Sequence, residues 1–461
     1  MSMDPNSLAA RDIETLIHPY ANLQIHRDKG PLILERGKGI YVWDRDGKKY
    51  IEGLAGLWCT ALGFGEEALV EAASEQLRKL PYYHLFGDKS QGPAIALAEK
   101  LKDMAPMPVS KVFFANSGSE ANDSQIKLIW YYNNARGKPE KKKIISRIRA
   151  YHGVTIAAGS LTGLPYVHQD FDLPVPGILH TDCPHHYRFS EAGETEEDFA
   201  TRLADNLEKL ILKEGPDTVA AFIAEPVMGA GGVIVPPRTY FQKVQAVLKK
   251  YDIVFIDDEV ICGCGRTGKM FGCETFAFTP DTISMAKSLS SAYVPISALL
   301  IPEDIYLAML DESRKLGVFG HGFTYSGHPV CAAVALKNLE LIEERQVVEH
   351  VRDVSPLFQK KLKAMSDHPL VGESRGIGLI GACELVADKE TGKPFDPKEG
   401  VGPYCASRAQ DHGLIVRSLG DSIAFCPPLI ITRDEIDELF IRFGLALRET
   451  EAWVERKKLR K

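Results

Sequence analysis

Five short runs of apolar residues punctuate the middle of the chain: Lys111–Ala115, Lys143–Ile148, Thr218–Ala224, Ile253–Asp257 and Thr282–Ala286. They are continuous rather than alternating. A strand with one wet face alternates; a parallel strand covered on both faces does not. Helical patterns lie between them. In Tyr240–Tyr251, the residues Phe241, Val244, Val247, Leu248 and Tyr251 fall on one face, with Pro236 and Pro237 ahead of it. A second helix is expected to begin near Ser119 and to carry Ile126, Ile129 and Trp130. Strand and helix in alternation predict an α/β layer with a mostly parallel sheet.

The ends read differently. Short strands with Gly/Asp turns are expected over residues 30–60, as around Asp44-Arg45-Asp46-Gly47. Long helices are expected at Pro329–Arg345, Pro356–Met365 and Arg433–Trp453, with strand-like pieces such as Gly378–Leu385 between them. The expected division is an N-terminal segment 1–60 contributing to a smaller α+β domain, a large domain over 61–327, and the rest of the small domain over 328–461. A chain of 461 residues has room for two large domains.

Charge narrows the function classes. Lys plus Arg is 55 and Asp plus Glu is 62, a net charge of −7, which argues against a nucleic-acid partner. No run approaches the ~18 apolar residues of a membrane span. The N-terminus has no basic region followed by an apolar one, as a secretory signal would. The nine cysteines are scattered without C-x-x-C spacing, which suits reduced thiols. The expectation is a cytoplasmic enzyme or a soluble binding protein.

Ligands of open parallel sheets collect at the carboxyl ends of strands. Asn116-Ser117-Gly118-Ser119-Glu120-Ala121-Asn122 follows the first strand and opens a helix, so its backbone N–H groups can meet an anion. A turn with an N-cap is the plainer alternative. Asp258 and Glu259 follow the fourth strand. Lys287 follows the fifth, where a Lys is unusual unless it reaches solvent or forms a Schiff base. Glu225-Pro226 follows the third, and Tyr151-His152-Gly153 follows the second. Pyridoxal 5′-phosphate (PLP) needs this set: a Lys for the imine, a carboxylate to keep the ring nitrogen protonated, a phosphate cradle and an aromatic face.

Two further motifs have plainer readings. Gly263-Cys264-Gly265-Arg266-Thr267-Gly268 matches G-x-G-x-x-G, but no helical period follows it as a dinucleotide site requires. His180, Cys183, His185 and His186 fall in a Pro-containing stretch, expected to be a polar interdomain loop without a metal.

The stretch Val254-Phe255-Ile256-Asp257-Asp258-Glu259-Val260, the glycine-rich turn after it and Met285-Ala286-Lys287 together resemble the signature of class III (ω) aminotransferases, of PLP fold type I. Further matches are Gly56-Leu57-Trp58-Cys59, Glu225-Pro226-Val227, Thr324-Tyr325-Ser326-Gly327-His328-Pro329 and Gly413-Leu414-Ile415-Val416-Arg417. The resemblance implies an aspartate-aminotransferase-like fold with a mostly parallel seven-stranded sheet. It implies that Lys287 forms the internal aldimine and Asp258 pairs with the pyridine nitrogen. Ser117, Gly118 and Ser119 would hold the phosphate, with Phe323 and Thr324 reaching it from the second subunit of a homodimer or tetramer. Tyr151 and Val260 would cover the two ring faces, and His152 and Glu225 would stand close by. Tyr20, Trp58, Phe86, Tyr151, Ala230 and Arg417 would line the substrate pocket, although each aromatic is equally a candidate for the core.

Ile261 stands where relatives acting on 4-aminobutyrate or ornithine often carry Gln, and Cys264 where the turn often has Phe. No Gly follows the lysine within Ser290-Ser291-Ala292-Tyr293-Val294-Pro295. The first and third departures resemble the subgroup that uses pyruvate. The implied reaction moves an amino group from a primary amine or ω-amino acid to pyruvate by ping-pong aldimine/ketimine chemistry. Other reactions on this fold, an aminomutase or a decarboxylase, remain alternatives, as does a non-catalytic PLP-binding protein.

Overall fold

The computed structural model describes residues 7–460, so the first six residues of the N-terminal segment lie outside the described residues. A seven-stranded sheet forms its centre. Its strands, in chain order, are β1 (Lys111–Ala115), β2 (Lys143–Arg147), β3 (Ile178–Thr181), β4 (Val219–Ala224), β5 (Val254–Asp258), β6 (Thr282–Met285) and β7 (Ser297–Ile301). Across the sheet they run β1-β7-β6-β5-β4-β2-β3. Only β7 is antiparallel to its neighbours. Every residue of β4 and β5 is buried, as their unbroken apolar runs require.

All five anticipated strands are present, within a residue or so at each end. β3 and β7 were not anticipated. β3 lies in the stretch read as a polar loop: His180 is a strand residue, and His186 opens a short helix. His185 Nε2 meets Glu373 Oε2 at 2.8 Å, and His186 Nε2 meets the Glu194 carbonyl at 2.9 Å.

The helix Tyr240–Lys250 buries Tyr240, Phe241, Val244 and Leu248 against the sheet. Phe241, Phe255 and Phe278 stack there with ring centroids 4.3 to 6.1 Å apart. The helix Gly118–Ala135 buries Ile126 and Ile129, but Trp130 faces outward and donates its indole N–H to the Lys142 carbonyl. Pro356 does not start a helix. It sits inside Val347–Ala364, where the buried stripe Val347, Val351, Val354, Phe358 and Leu362 continues past it. Packing of that face outweighs the ~3 kcal/mol that an interior proline costs.

Near the N-terminus, the strands Leu34–Lys38, Tyr41–Asp44 and Lys49–Glu52 form a sheet that Leu414–Ile415 completes by pairing parallel to the third. A further antiparallel sheet joins Val371–Ile377, Ile380–Leu385, Ser422–Phe425 and Arg417–Leu419. One buried cation, Arg375, crosses from this sheet to the loop after β4. Its guanidinium pairs with Glu373 at 2.6 Å and Glu384 at 2.5 Å, and donates to the carbonyls of Gly232 and Val233 and to Ser422 Oγ. No helix among the described residues is long and apolar enough to cross a membrane.

Candidate active site

Because β1, β2, β4, β5 and β6 run the same way, their carboxyl ends share one edge of the sheet. Gly118, Ser119, Asn122, Tyr151, His152, Gly153, Glu225, Asp258, Val260, Ile261 and Lys287 meet there around one cavity of about 120 Å³.

Asp258 is the last residue of β5 and is buried. Its Oδ2 accepts from Asn122 Nδ2 at 2.8 Å and from His152 Nδ1 at 2.7 Å, while Oδ1 accepts only a longer bond from the Val260 N–H at 3.2 Å. Asn122 also donates to the His152 carbonyl, so it fixes both partners at once. Oδ1 is therefore the oxygen left to receive a cationic N–H. Glu225 is buried at the end of β4, where burial raises its pKa, and it accepts from the N–H groups of Tyr151 and Gly229. It shapes the loop that presents Tyr151.

Lys287 leaves β6 in a left-handed backbone conformation, φ 50°, which few non-glycine residues adopt. Burial lowers the pKa of its ammonium, against the opposing pull of the Asp258 carboxylate. The same cavity thus holds an amine inclined to lose its proton and a carboxylate that accepts from two donors.

The anion end is built by close approach. Ser117 caps the helix Gly118–Ala135, its Oγ accepting from the Glu120 N–H, so the helix N-terminus faces the cavity. Ser119 Oγ accepts from the Val154 N–H. A Cβ on Gly153 would lie 2.5 Å from that Oγ, and one on Gly118 would lie 3.2 Å from Val260. These glycines keep the space between the two loops open. His152 Nε2 is buried without a partner among the described residues and lies on the cavity wall. Amine, shielded carboxylate, anion cradle, aromatic wall and an unpartnered polar nitrogen together fit PLP.

The expected substrate residues divide. Tyr20 lies against Tyr151 with hydroxyls 3.5 Å apart, and edge-on to Tyr166 at 6.2 Å. The Arg417 guanidinium stands 5.9 Å from the Tyr20 ring. Ala230 packs with Leu164, Val167 and Tyr151. Trp58 is fully buried in the main core. Phe86 and Thr324 are exposed, Phe323 is half-buried, and none of the three lines this cavity. Asn122 and Tyr166 were not assigned from sequence. Asn122 stands one helical turn beyond Gly118 and Ser119, a spacing that puts it on their face. Tyr166 had no such signal.

On the opposite face of β5, Asp257 and Glu259 form a second carboxyl pair. Both are buried, and with Cys273 their ligand-capable atoms lie within 4.8 Å of one another. Glu259 Oε1 accepts from the Cys273 N–H, while both Asp257 oxygens lack a partner among the described residues. Burial raises Asp257 well above its ordinary range and pushes Glu259 up to about 7. The folded chain therefore keeps protons that the unfolded chain releases. That stabilises the fold at low pH and is lost as pH rises through about 7. Asp257→Asn is expected to flatten the decline of the unfolding temperature between about pH 5 and about pH 8. Parallel wild-type and variant profiles would mean that Asp257 does not titrate in this way.

Known proteins place this architecture. The family model for aminotransferase class-III matches residues 24–447. A tomato (Solanum lycopersicum) protein, gamma aminobutyrate transaminase 3, chloroplastic, is 54% identical over 99% of this chain and 89% of its own. The omega transaminase of Pseudomonas jessenii, in complex with PMP, superposes with a TM-score of 0.96 at 57% identity, covering 97% of this chain and 99% of that one. A thermostable omega transaminase variant, W58M/F86L/R417L, engineered for asymmetric synthesis of enantiopure bulky amines, gives a TM-score of 0.96 at 57% identity, over 97% and 100% of the two chains. The expectation of a cytoplasmic location is corrected by such relatives: the tomato protein is chloroplastic, and a rice gamma-aminobutyrate transaminase is mitochondrial. With the family model spanning nearly the whole chain and the PLP-fitting cavity at its sheet edge, this chain belongs to the class III PLP-dependent aminotransferases, of fold type I.

Proposed function

We propose that this aminotransferase takes the amino group of an ω-amino acid such as 4-aminobutyrate, or of a primary amine, and delivers it to pyruvate. The products are a carbonyl compound and alanine. The observation that carries the choice is Arg417. It forms no ion pair among the described residues, yet it stands beside Tyr20 at the aromatic mouth of the site. A free guanidinium beside aromatic faces can bind a carboxylate and can also give way to an apolar group.

Bound PLP supplies the carbonyl carbon that condenses with the amine and a ring that takes up the Cα electron pair. Lys287 Nζ would hold the cofactor and, as the amine beside the substrate, would remove the proton from the substrate Cα. Its lowered pKa suits that second duty. Asp258 would pair with the ring nitrogen, and His152 and Asn122 hold Asp258 in place. Ser117, Gly118 and Ser119 would receive the phosphate; Tyr151 and Val260 would cover the ring. Tyr20, Tyr166, Ala230 and Arg417 orient the substrate. Trp58 and Phe86 join them in this proposal, supported by the engineered relative altered for bulky amines at W58, F86 and R417.

The assembly we propose is a homodimer. Thr324 and Phe323 lie outside the cavity of their own chain, which suits delivery of these groups to the site of a second copy. The division into segment 1–60, large domain 61–327 and small domain 328–461 is supported by the pairing of Leu414–Ile415 with Ile51–Glu52.

Incubation with 4-aminobutyrate or a primary amine should yield alanine with pyruvate, and much less amino product with 2-oxoglutarate. Activity with 2-oxoglutarate alone would overturn the pyruvate assignment. Arg417→Ala is expected to raise KM for pyruvate roughly tenfold to a hundredfold, the worth of a charged hydrogen bond. KM for an amine without a carboxylate should stay within about twofold. Equal changes for both substrates would remove Arg417 from carboxylate binding.

A further inference from the structure

Away from the sheet edge, three metal-ligating side chains converge at the N-terminal end. Asp12 lies in the helix Leu8–Thr15, His26 in the helix Leu23–Lys29, and His18 in the loop between them. His18 Nε2 is 2.9 Å from Asp12 Oδ1 and 3.0 Å from Oδ2. His26 Nε2 is 3.2 Å from the same Oδ1. The two imidazole rings stack with centroids 4.0 Å apart and planes 27° from parallel.

Hydrogen bonding accounts for only half of this arrangement. His18 donates to Asp12 Oδ2. His26 Nε2 and Asp12 Oδ1 face each other but are misaligned for a hydrogen bond, and both are buried without a partner among the described residues. A charge-only account fares no better. Two imidazolium rings stacked at 4.0 Å would repel, and one carboxylate could not offset both.

A transition-metal ion between these atoms would use the two that lack partners, with the rings moving apart from their 4.0 Å stacking to admit it. Zinc bonds of ~2.0–2.1 Å in a tetrahedron put ligand atoms roughly 3.3 Å apart. The observed separations of 2.9 and 3.2 Å are close to that edge, and all three ligand-capable atoms lie within 4.8 Å of one another. Neutral imidazole nitrogens and a carboxylate oxygen are ordinary zinc donors. The side chains remain 12 to 32% exposed, which leaves a path for an ion and a water.

We propose that Asp12 Oδ1, His18 Nε2 and His26 Nε2 form a Zn2+ site whose fourth position holds water. The site would tie the two N-terminal helices together and close the loop between them, the loop that carries Tyr20. It is independent of the transamination chemistry.

The test is titration of the full-length holoenzyme with ZnCl2 near neutral pH, read by calorimetry and by metal content after gel filtration. Wild type is expected to retain one more Zn2+ per chain than His26→Gln and Asp12→Asn. Its unfolding temperature should rise on adding Zn2+, with no such rise in either variant. Co2+ should give the visible absorption of a four-coordinate ion in wild type only. Retained PLP absorbance shows that each variant is folded, and comparison with wild type cancels metal bound by cofactor or thiols. Equal stoichiometry in all three proteins, or no bound metal in wild type, overturns the site.

Discussion

Lys287→Ala should lower turnover by on the order of a thousandfold or more. Two proposed duties disappear together: the anchoring imine and the base beside the substrate Cα. No other described amine lines the cavity, and His152, the nearest imidazole, is committed through Nδ1 to Asp258. A small primary amine added to the medium should restore part of the rate, since it replaces the base without the tether. Absorbance of the internal Schiff base near ~420 nm should vanish, while the cradle still admits the cofactor. Wild-type turnover in this variant, measured as alanine formed from pyruvate, would remove Lys287 from the mechanism.

Arg375→Met should cost about 3–5 kcal/mol of folding stability. The guanidinium sits among two glutamates, two carbonyls and a serine, and almost none of it reaches water. Its field helps hold Glu384 down at about 2. Methionine matches the volume but abandons two carboxylates in the interior. Arg188 still pairs with Glu384, and His185 with Glu373, so the loss stays finite. Arg375→Lys should recover only part, because an ammonium cannot span all of these acceptors. Chemical denaturation of the holo protein measures it; a change under about 0.5 kcal/mol would mean that the clamp contributes nothing net.

The central layer was legible because burial on both faces leaves a plain mark: an unbroken apolar run with a polar residue where it ends. Lys287, Asp258 and Glu225 each sit at such an end. What escaped has physical causes. β3 holds His180 and stands at the sheet edge, so it lacks the mark of the interior strands. β7 follows a Ser- and Pro-containing stretch that reads as loop. Pro356 looked like a boundary because local propensity was weighed and the five-residue packing stripe was not. Asn122 is a helix residue whose role exists only once β5 lies beside it. Trp58 is buried in the main core cluster, so its place in the proposed pocket rests on the matched motif and not on exposure.

The residues that line the cavity fitting PLP are spread over positions 118 to 287 and are joined only by the finished sheet. An unfolded chain cannot grip the coenzyme, so every bound molecule draws the population toward the folded form. Free coenzyme at a hundred times its dissociation constant contributes about 2.7 kcal/mol in this way. The reagent of the reaction is thus also a fastener for the fold, and a preparation starved of vitamin B6 should fail sooner on heating for reasons unrelated to catalysis.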